Sequence, residues 1–264
     1  MFKRRLLLFL LAPLTVFAFE IPKGLDAEDR KEVVRTLGLS TAFKSLANPY
    51  PLGGYPGVEV GVSLEYVNVR DVRRLGCTPG TVGCANTRIS DETEWRYSRF
   101  TVGKGLYDDI DISFSYMPPI GGVNATDYGG AVRWSFFQAQ FLPINLSAIA
   151  HYNQMNFDDV FSNRNVGIEG MVGVNVDGFS LYFGGGMIEA KGTFIGRDTS
   201  GGCGPDCTAE EPESNMSDTR TVTSRVRETH TIVGLSLHYE NLFAAAQVDR
   251  YRDAVYSMKL GLRF

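Results

Sequence analysis

Beyond its first twenty residues the sequence has no long apolar run. Nothing approaches the roughly 18–20 apolar residues that a transmembrane helix needs, so a helical membrane protein is excluded. An excess of positive charge is missing too. The chain has 26 Lys and Arg against 30 Asp and Glu, and no basic patch argues for a nucleic-acid partner. Signatures of nucleophilic catalysis are absent: Gly-x-Ser-x-Gly does not occur. Gly184-Gly185-Gly186 lies within a strand-like run, where it reads as a bend, bulge or close packing rather than a phosphate loop.

What is present begins with MFKRRLLLFLLAPLTVFAFE. Lys3, Arg4 and Arg5 precede the short apolar stretch Leu6–Leu14, and Val16-Phe17-Ala18 supplies a small-residue cleavage site. This pattern predicts a secretory signal over 1–18. Its removal takes three of the 26 basic residues, leaving 23 against 30 acids, a net charge of −7. A soluble exported protein or a membrane β-barrel remains. Cysteine is scarce, at positions 77, 84, 203 and 207. Four cysteines allow three pairings. In an exported chain disulfides are expected, and the short separations favour Cys77–Cys84 and Cys203–Cys207. No histidine lies near either pair, and no metal or other cofactor is expected.

After residue 57 the dominant period is two, the signature of strands. VEVGVSLEY (58–66) sets Val58, Val60, Val62, Leu64 and Tyr66 against Glu59, Gly61, Ser63 and Glu65. Similar alternation marks 99–106, 110–116, 131–137, 145–153, 165–176, 179–187, 231–240, 242–249 and 254–264, ten strands in all. Connections alternate in length. YDD, AQFLPI, DG and EN are short, whereas those between strands 1–2, 3–4, 5–6 and 7–8 are longer. Asp177-Gly178 is a two-residue hairpin signal. An up-and-down antiparallel sheet follows, with its long loops at one end. Large apolar residues at alternate positions, polar residues and glycine between them, and aromatics near the strand ends favour a closed sheet with lipid outside and a polar lumen inside.

The final strand YSMKLGLRF, the hairpin GLYDDIDISFSY, the tight turns and the long opposite loops resemble the bacterial outer-membrane β-barrel superfamily, from about residue 58 to Phe264. The resemblance implies an all-β, closed up-and-down barrel of about ten strands in the outer membrane, contacting its lipid as a monomer. It also implies that Phe264, Leu262, Leu260 and Tyr256 form the signal read by the barrel-assembly machinery. Short turns would face the periplasm and long loops the outside.

Within that frame the lumen is expected to hold Glu59, Glu65, Asp111, Glu169 and Asp249 with Arg99, Arg133, Lys259, Arg263, His151 and His238. Acids and bases nearly balance, so pairing is expected, either closing the lumen or lining a narrow pore. Residues 19–57 form a separate periplasmic segment. Helical spacing over 26–46, with Asp26 as N-cap, predicts an amphipathic helix that caps the barrel mouth or enters as a plug. Loops 70–95 and 194–228 are candidates for surface recognition or shielding of the mouth. Omptin proteases also resemble ten-stranded barrels with a site at the outer rim, but their Asp-x-His is here Glu228-Thr229-His230, at the outer start of strand 8, and Asp127, in the loop between strands 3 and 4, has no acidic partner. Asp108-Asp109 lies at the periplasmic end and reads as turn chemistry. No enzymatic activity is expected.

Overall fold

The computed structural model describes residues 25, 27–72, 75, 94–119, 125–139, 141–157, 160–195 and 221–264. The signal segment and all four cysteines lie outside the described residues. So do the central parts of loops 70–95 and 194–228.

Ten antiparallel strands close into one barrel, each paired to its sequence neighbours, with β1 sealed against β10. They are β1 (Val58–Asn68), β2 (Glu94–Gly105), β3 (Ile110–Met117), β4 (Ala125–Gln138), β5 (Ile144–Phe157), β6 (Phe161–Val176), β7 (Phe179–Ile195), β8 (Thr221–Tyr239), β9 (Leu242–Arg250) and β10 (Ala254–Arg263). At the seam, Phe264 N–H donates to the Val58 carbonyl at 2.8 Å and Val58 N–H to the Phe264 carbonyl at 3.0 Å. The last residue is thus hydrogen-bonded to the first residue of the barrel. The tight turns place Asp108, Asp109, Asp177 and Glu240 at positive φ, a conformation that short polar residues tolerate better than branched ones.

Alternation sorts the strand residues by solvent. Val60, Leu64, Phe114, Ile168, Met258 and Leu260 point outward and are exposed, whereas Glu59, Ser63, Glu65, Arg99 and Asp111 are buried within. This is the inverse of a soluble sandwich, and it is what lipid outside and a polar lumen require. Among the described residues no helix is long and apolar enough to cross a membrane.

Several strands outrun their expected limits at the long-loop end. β2 begins at Glu94, β4 at Ala125 and β8 at Thr221, because outward residues there need not be apolar and the ladder continues through polar ones. The β5–β6 connection, expected to be long, is three residues, 158–160. Heights differ in consequence: β8 has 19 residues and β3 only 8.

The N-terminal segment departs most from expectation. Helix α1 covers Ala27–Val33 and passes into a wider π-helical stretch, Val34–Leu39. It ends there, not at 46. Thr41 N–H and its hydroxyl both donate to the Leu37 carbonyl, at 3.2 and 2.9 Å, in the last helical turn. Nor does the segment stay at the short-turn end. Residues 41–57 run down the lumen, and the helical part packs against β6, β7 and β8 near the long loops. Arg35 reaches Glu228 at 3.0 Å, and Glu32 reaches Arg252 at 3.1 Å. Of the two expected placements, a cap at the mouth or a plug, the segment takes the plug, with its helical part near the long loops and residues 41–57 running down the lumen.

Candidate functional site: the plugged lumen

A chain crossing a lumen without forming a helix must satisfy its backbone groups elsewhere. Here the barrel wall supplies the partners. Arg99 donates to the Thr41 carbonyl at 2.9 Å and Asn153 to the same oxygen at 2.8 Å. Phe43 N–H donates to Asn153 at 3.1 Å. Lower down, Arg133 donates to the Asn48 carbonyl at 2.9 Å, Ser135 to that of Pro49 at 2.7 Å, and Leu52 N–H to Asp111 at 3.1 Å.

Around these contacts lies a buried charge network. Lys44 of the plug is 2.6 Å from Glu65, whose other oxygen is 3.1 Å from Arg99; Arg99 also binds Asp127 at 2.7 Å. The Tyr97 hydroxyl donates to Glu65 at 2.8 Å. All five side chains are buried. Arg133 grips Asp111 through two nitrogens, at 3.0 and 2.7 Å. Glu59 accepts from Lys259 and Arg263, each at 2.6 Å, with both cations over the Phe243 ring. At the top of the plug, partial burial works against the charge on Arg35. Its hydrogen bonds to the Glu228 and Glu32 carboxylates outweigh it and hold its pKa above the ordinary value.

The opposite wall is built differently. Asn165 and Asn163 donate to the Gly38 carbonyl at 2.8 and 3.3 Å. Strand glycines leave room for the plug: a Cβ on Gly192 would meet Val34 at 2.3 Å, and one on Gly173 would meet Pro49 at 2.3 Å. His151 and His230 each place Nε2 beside the same oxygen of Glu169, at 3.1 and 3.2 Å. Tyr182 donates to Gln247 at 3.1 Å, and Gln247 to Asp249 at 2.9 Å. His238 is half-buried at the short-turn end, stacked on Phe243.

All eleven lumen residues named from the sequence thus face inward, but they form separate groups rather than one network. Asp127 lies in β4 and not in a loop. His230 is buried below the rim, bound to Glu169, and Glu228 is taken by Arg35. Alternation extended backward from Arg133 would have reached Asp127. For Lys44, read as part of a helix, no signal existed. Between the plug and β1–β4 a cavity of ≈ 30 Å³ remains, lined by Phe43, Lys44, Leu52, Glu59, Asp111 and Arg133. That is room for about two waters. Among the described residues no group of three or more His, Cys, Asp or Glu is placed to hold a metal ion.

A closed up-and-down ladder, an apolar outer belt and a filled polar lumen are now in view. The fold is a closed, ten-stranded, antiparallel up-and-down β-barrel with an apolar outer face. No family model matches the chain, and no curated protein matches it in sequence. Among solved structures it is similar to the N-terminal β-barrel domain of Pseudomonas aeruginosa OprF, at 12% identity over 80% of this chain and 99% of that one, TM-score 0.37. It is also similar to the outer membrane protease OmpT from Escherichia coli, at 10% identity over 79% and 96%, TM-score 0.36. A third is Ail, the attachment invasion locus protein of Yersinia pestis, in complex with a heparin analogue, at 11% identity over 79% and 97%, TM-score 0.30.

Proposed function

We propose that this protein is a non-enzymatic outer-membrane barrel whose lumen is held shut at rest by its own N-terminal segment. The observation that carries the reading is the run of wall-to-backbone hydrogen bonds along residues 41–52, which ties the segment to the lumen wall at Thr41, Phe43, Asn48, Pro49 and Leu52. In a non-conducting role the protein would be structural; as a narrow pore it would pass small solutes only after the segment is withdrawn. The disposition of Asp127 and His230 supports the absence of hydrolysis, because each is buried and bound to a different partner. Strand polarity supports outer-membrane insertion, with Tyr256, Leu260, Leu262 and Phe264 all outward on the closing strand for the assembly machinery to read.

Planar-bilayer recording tests the proposal. The full chain is expected to be silent, and a chain lacking Ala27–Leu52 to conduct. Steady conductance from the intact chain overturns the closed state, and peptide cleavage that disappears in His230→Ala overturns the non-enzymatic reading. The plug's direction adds a second check. An epitope inserted ahead of Leu25 should be reached by antibody on intact cells, because α1 lies at the long-loop end; detection only after permeabilisation contradicts the threading.

The height of β6–β8 favours one further reading, recognition at the outer surface, since these strands exceed the ~9–11 residues needed to cross a bilayer. Binding to host cells or matrix that is lost when 197–219 is replaced by a short linker would support it.

A further inference from the structure

The line where the outer apolar belt ends at the long-loop side is not uniform around the barrel. On β10, β1, β3, β4 and β5 it is marked by Tyr256, Tyr66, Tyr116, Tyr128 and Tyr152. Tyr66 and Tyr256 pair across the seam with ring centroids 6.2 Å apart, and Tyr116 stands opposite Tyr128. Such rings are the usual interfacial anchors of a barrel. Among the described residues of β6–β8 no tyrosine stands at that level. Arg164, Lys191 and Arg225 stand there instead, directly opposite one another across three adjacent strands, with Arg227 beside them opposite Glu189. All four cations are exposed on the outward face. Glu189 is 3.3 Å from Arg225, and no acid among the described residues forms an ion pair with Arg164, Lys191 or Arg227.

Like charges directly opposite across strands are destabilising, so this row is best accommodated with anions against it. Its height says which anions. The outward residues of β6 below Arg164 are Val166, Ile168, Gly170, Val172, Val174 and Val176. At about 3.3 Å per residue and a tilt near 40°, ten residues of strand rise ~25 Å, the height of the apolar band of such barrels. Arg164 is the next outward position. An anion reaching this row therefore sits at the edge of the hydrocarbon, with Val166, Ile168 and Met187 exposed just below for acyl chains.

We infer that the outer face of β6–β8 is a binding site for a phosphate-bearing lipid headgroup of the leaflet on the long-loop side. The inference rests on the membrane-spanning reading above. The site takes an amphiphile rather than a free phosphate ion, because cations and apolar wall are contiguous there. The strands marked by tyrosine, β10, β1, β3, β4 and β5, carry no such row of cations.

The test is native mass spectrometry of the full-length protein in mild detergent, titrated with diphosphorylated lipid A, with the same lipid after dephosphorylation, and with inorganic phosphate. The wild type should retain the phosphorylated lipid. The triple variant R164Q/K191Q/R225Q should retain at least about tenfold less, given the usual contribution of each cation near an anionic surface. E189Q should retain more than wild type, and R96Q, on the tyrosine-anchored side, the same amount. Equal retention by the triple variant overturns the site, as does equal binding of dephosphorylated lipid or displacement of the lipid by millimolar phosphate. Heat-modifiable gel mobility is read on every sample. A heat-modifiable triple variant that keeps its lipid sinks the lipid site alone, whereas a wild-type chain without heat-modifiable mobility sinks the membrane-barrel reading and the lipid site together.

Discussion

The two halves of the lumen hold the same segment by different means. Along β1–β4, charged side chains reach into the plug: Glu65 takes Lys44, Arg99 and Arg133 take backbone carbonyls, and Asp111 takes the Leu52 amide. Along β5–β7, neutral amides and missing side chains do the work, through Asn163, Asn165, Gly173 and Gly192. The difference is one of failure mode. A buried charge that loses its partner is expensive and the loss is abrupt. A contact made by close packing weakens in proportion to the volume forced into it. The charged half is therefore expected to decide whether the plug stays, and the neutral half how well it fits.

The largest effect should come from Lys44→Ala. It leaves Glu65 with Arg99 and Tyr97 but strips the one cation the plug contributes to this cluster. Removing one member of a buried pair typically costs ~3–5 kcal/mol. Guanidinium unfolding of the refolded barrel should show a loss of that order, and bilayer recordings should show openings absent in the wild type. Combining Lys44→Met with Glu65→Leu should recover most of the stability, because a well-packed apolar pair replaces buried ions at little cost. If Lys44→Ala proves as stable and silent as wild type, charge is not what holds the plug and the two halves are equivalent.

Next in size is Gly192→Leu on the neutral half. The new side chain meets Val34 and Phe161, where even a Cβ lies at 2.3 and 2.8 Å. Overpacking of this kind costs about 1–3 kcal/mol. Because the clamps at Thr41, Lys44 and Asn48 lie deeper in the lumen, the top of the plug should shift while the lumen stays shut. The expected result is reduced stability with no conductance. Openings as frequent as in Lys44→Ala would show that the upper packing, not the charges, is the lock.

Much of this architecture was legible in the sequence for a definite reason. Lipid outside and polar side chains inside impose a period of two on every strand. That alternation identifies ten strands and assigns Glu59, Glu65, Arg99, Arg133 and Lys259 to the lumen before any coordinate is known. The turn residues Asp108-Asp109 and Asp177-Gly178 mark one end in the same way. The plug was legible only as one of two placements, and its extended path was not. Its apolar residues Val33, Val34, Leu37 and Phe43 fit a helical stripe, and that local pattern was read over 26–46. The chain leaves the helix at Leu39 because its carbonyls find better partners on the wall. Those partners come from strands far away in sequence, and no local period records them. His230 and Asp127 were misplaced toward the rim for a related reason: alternation does not report how far a strand continues above the belt.

The smallest lumen effect should be that of Glu169→Gln, and it sharpens the comparison most. Glu169 is buried and its partners are His151 and His230, both on the barrel itself. None of the three has a hydrogen bond to the plug among the described residues. The substitution keeps the shape and an acceptor oxygen but removes the charge. Hydrogen bonds to charged groups contribute about 1.5–3 kcal/mol and neutral ones about 0.5–1.5, so the loss should be about 1 kcal/mol. Stability should fall slightly and conductance should stay at the wild-type baseline. Glu65, a buried carboxylate of similar depth, has wall partners too, Arg99 and Tyr97, but its partner Lys44 belongs to the plug. If Glu169→Gln opened the lumen as readily as Lys44→Ala, any loss of buried charge would loosen the barrel, and contact with the plug would not be what matters. If it leaves the lumen shut, the lock is localised to the side chains that bridge wall and plug.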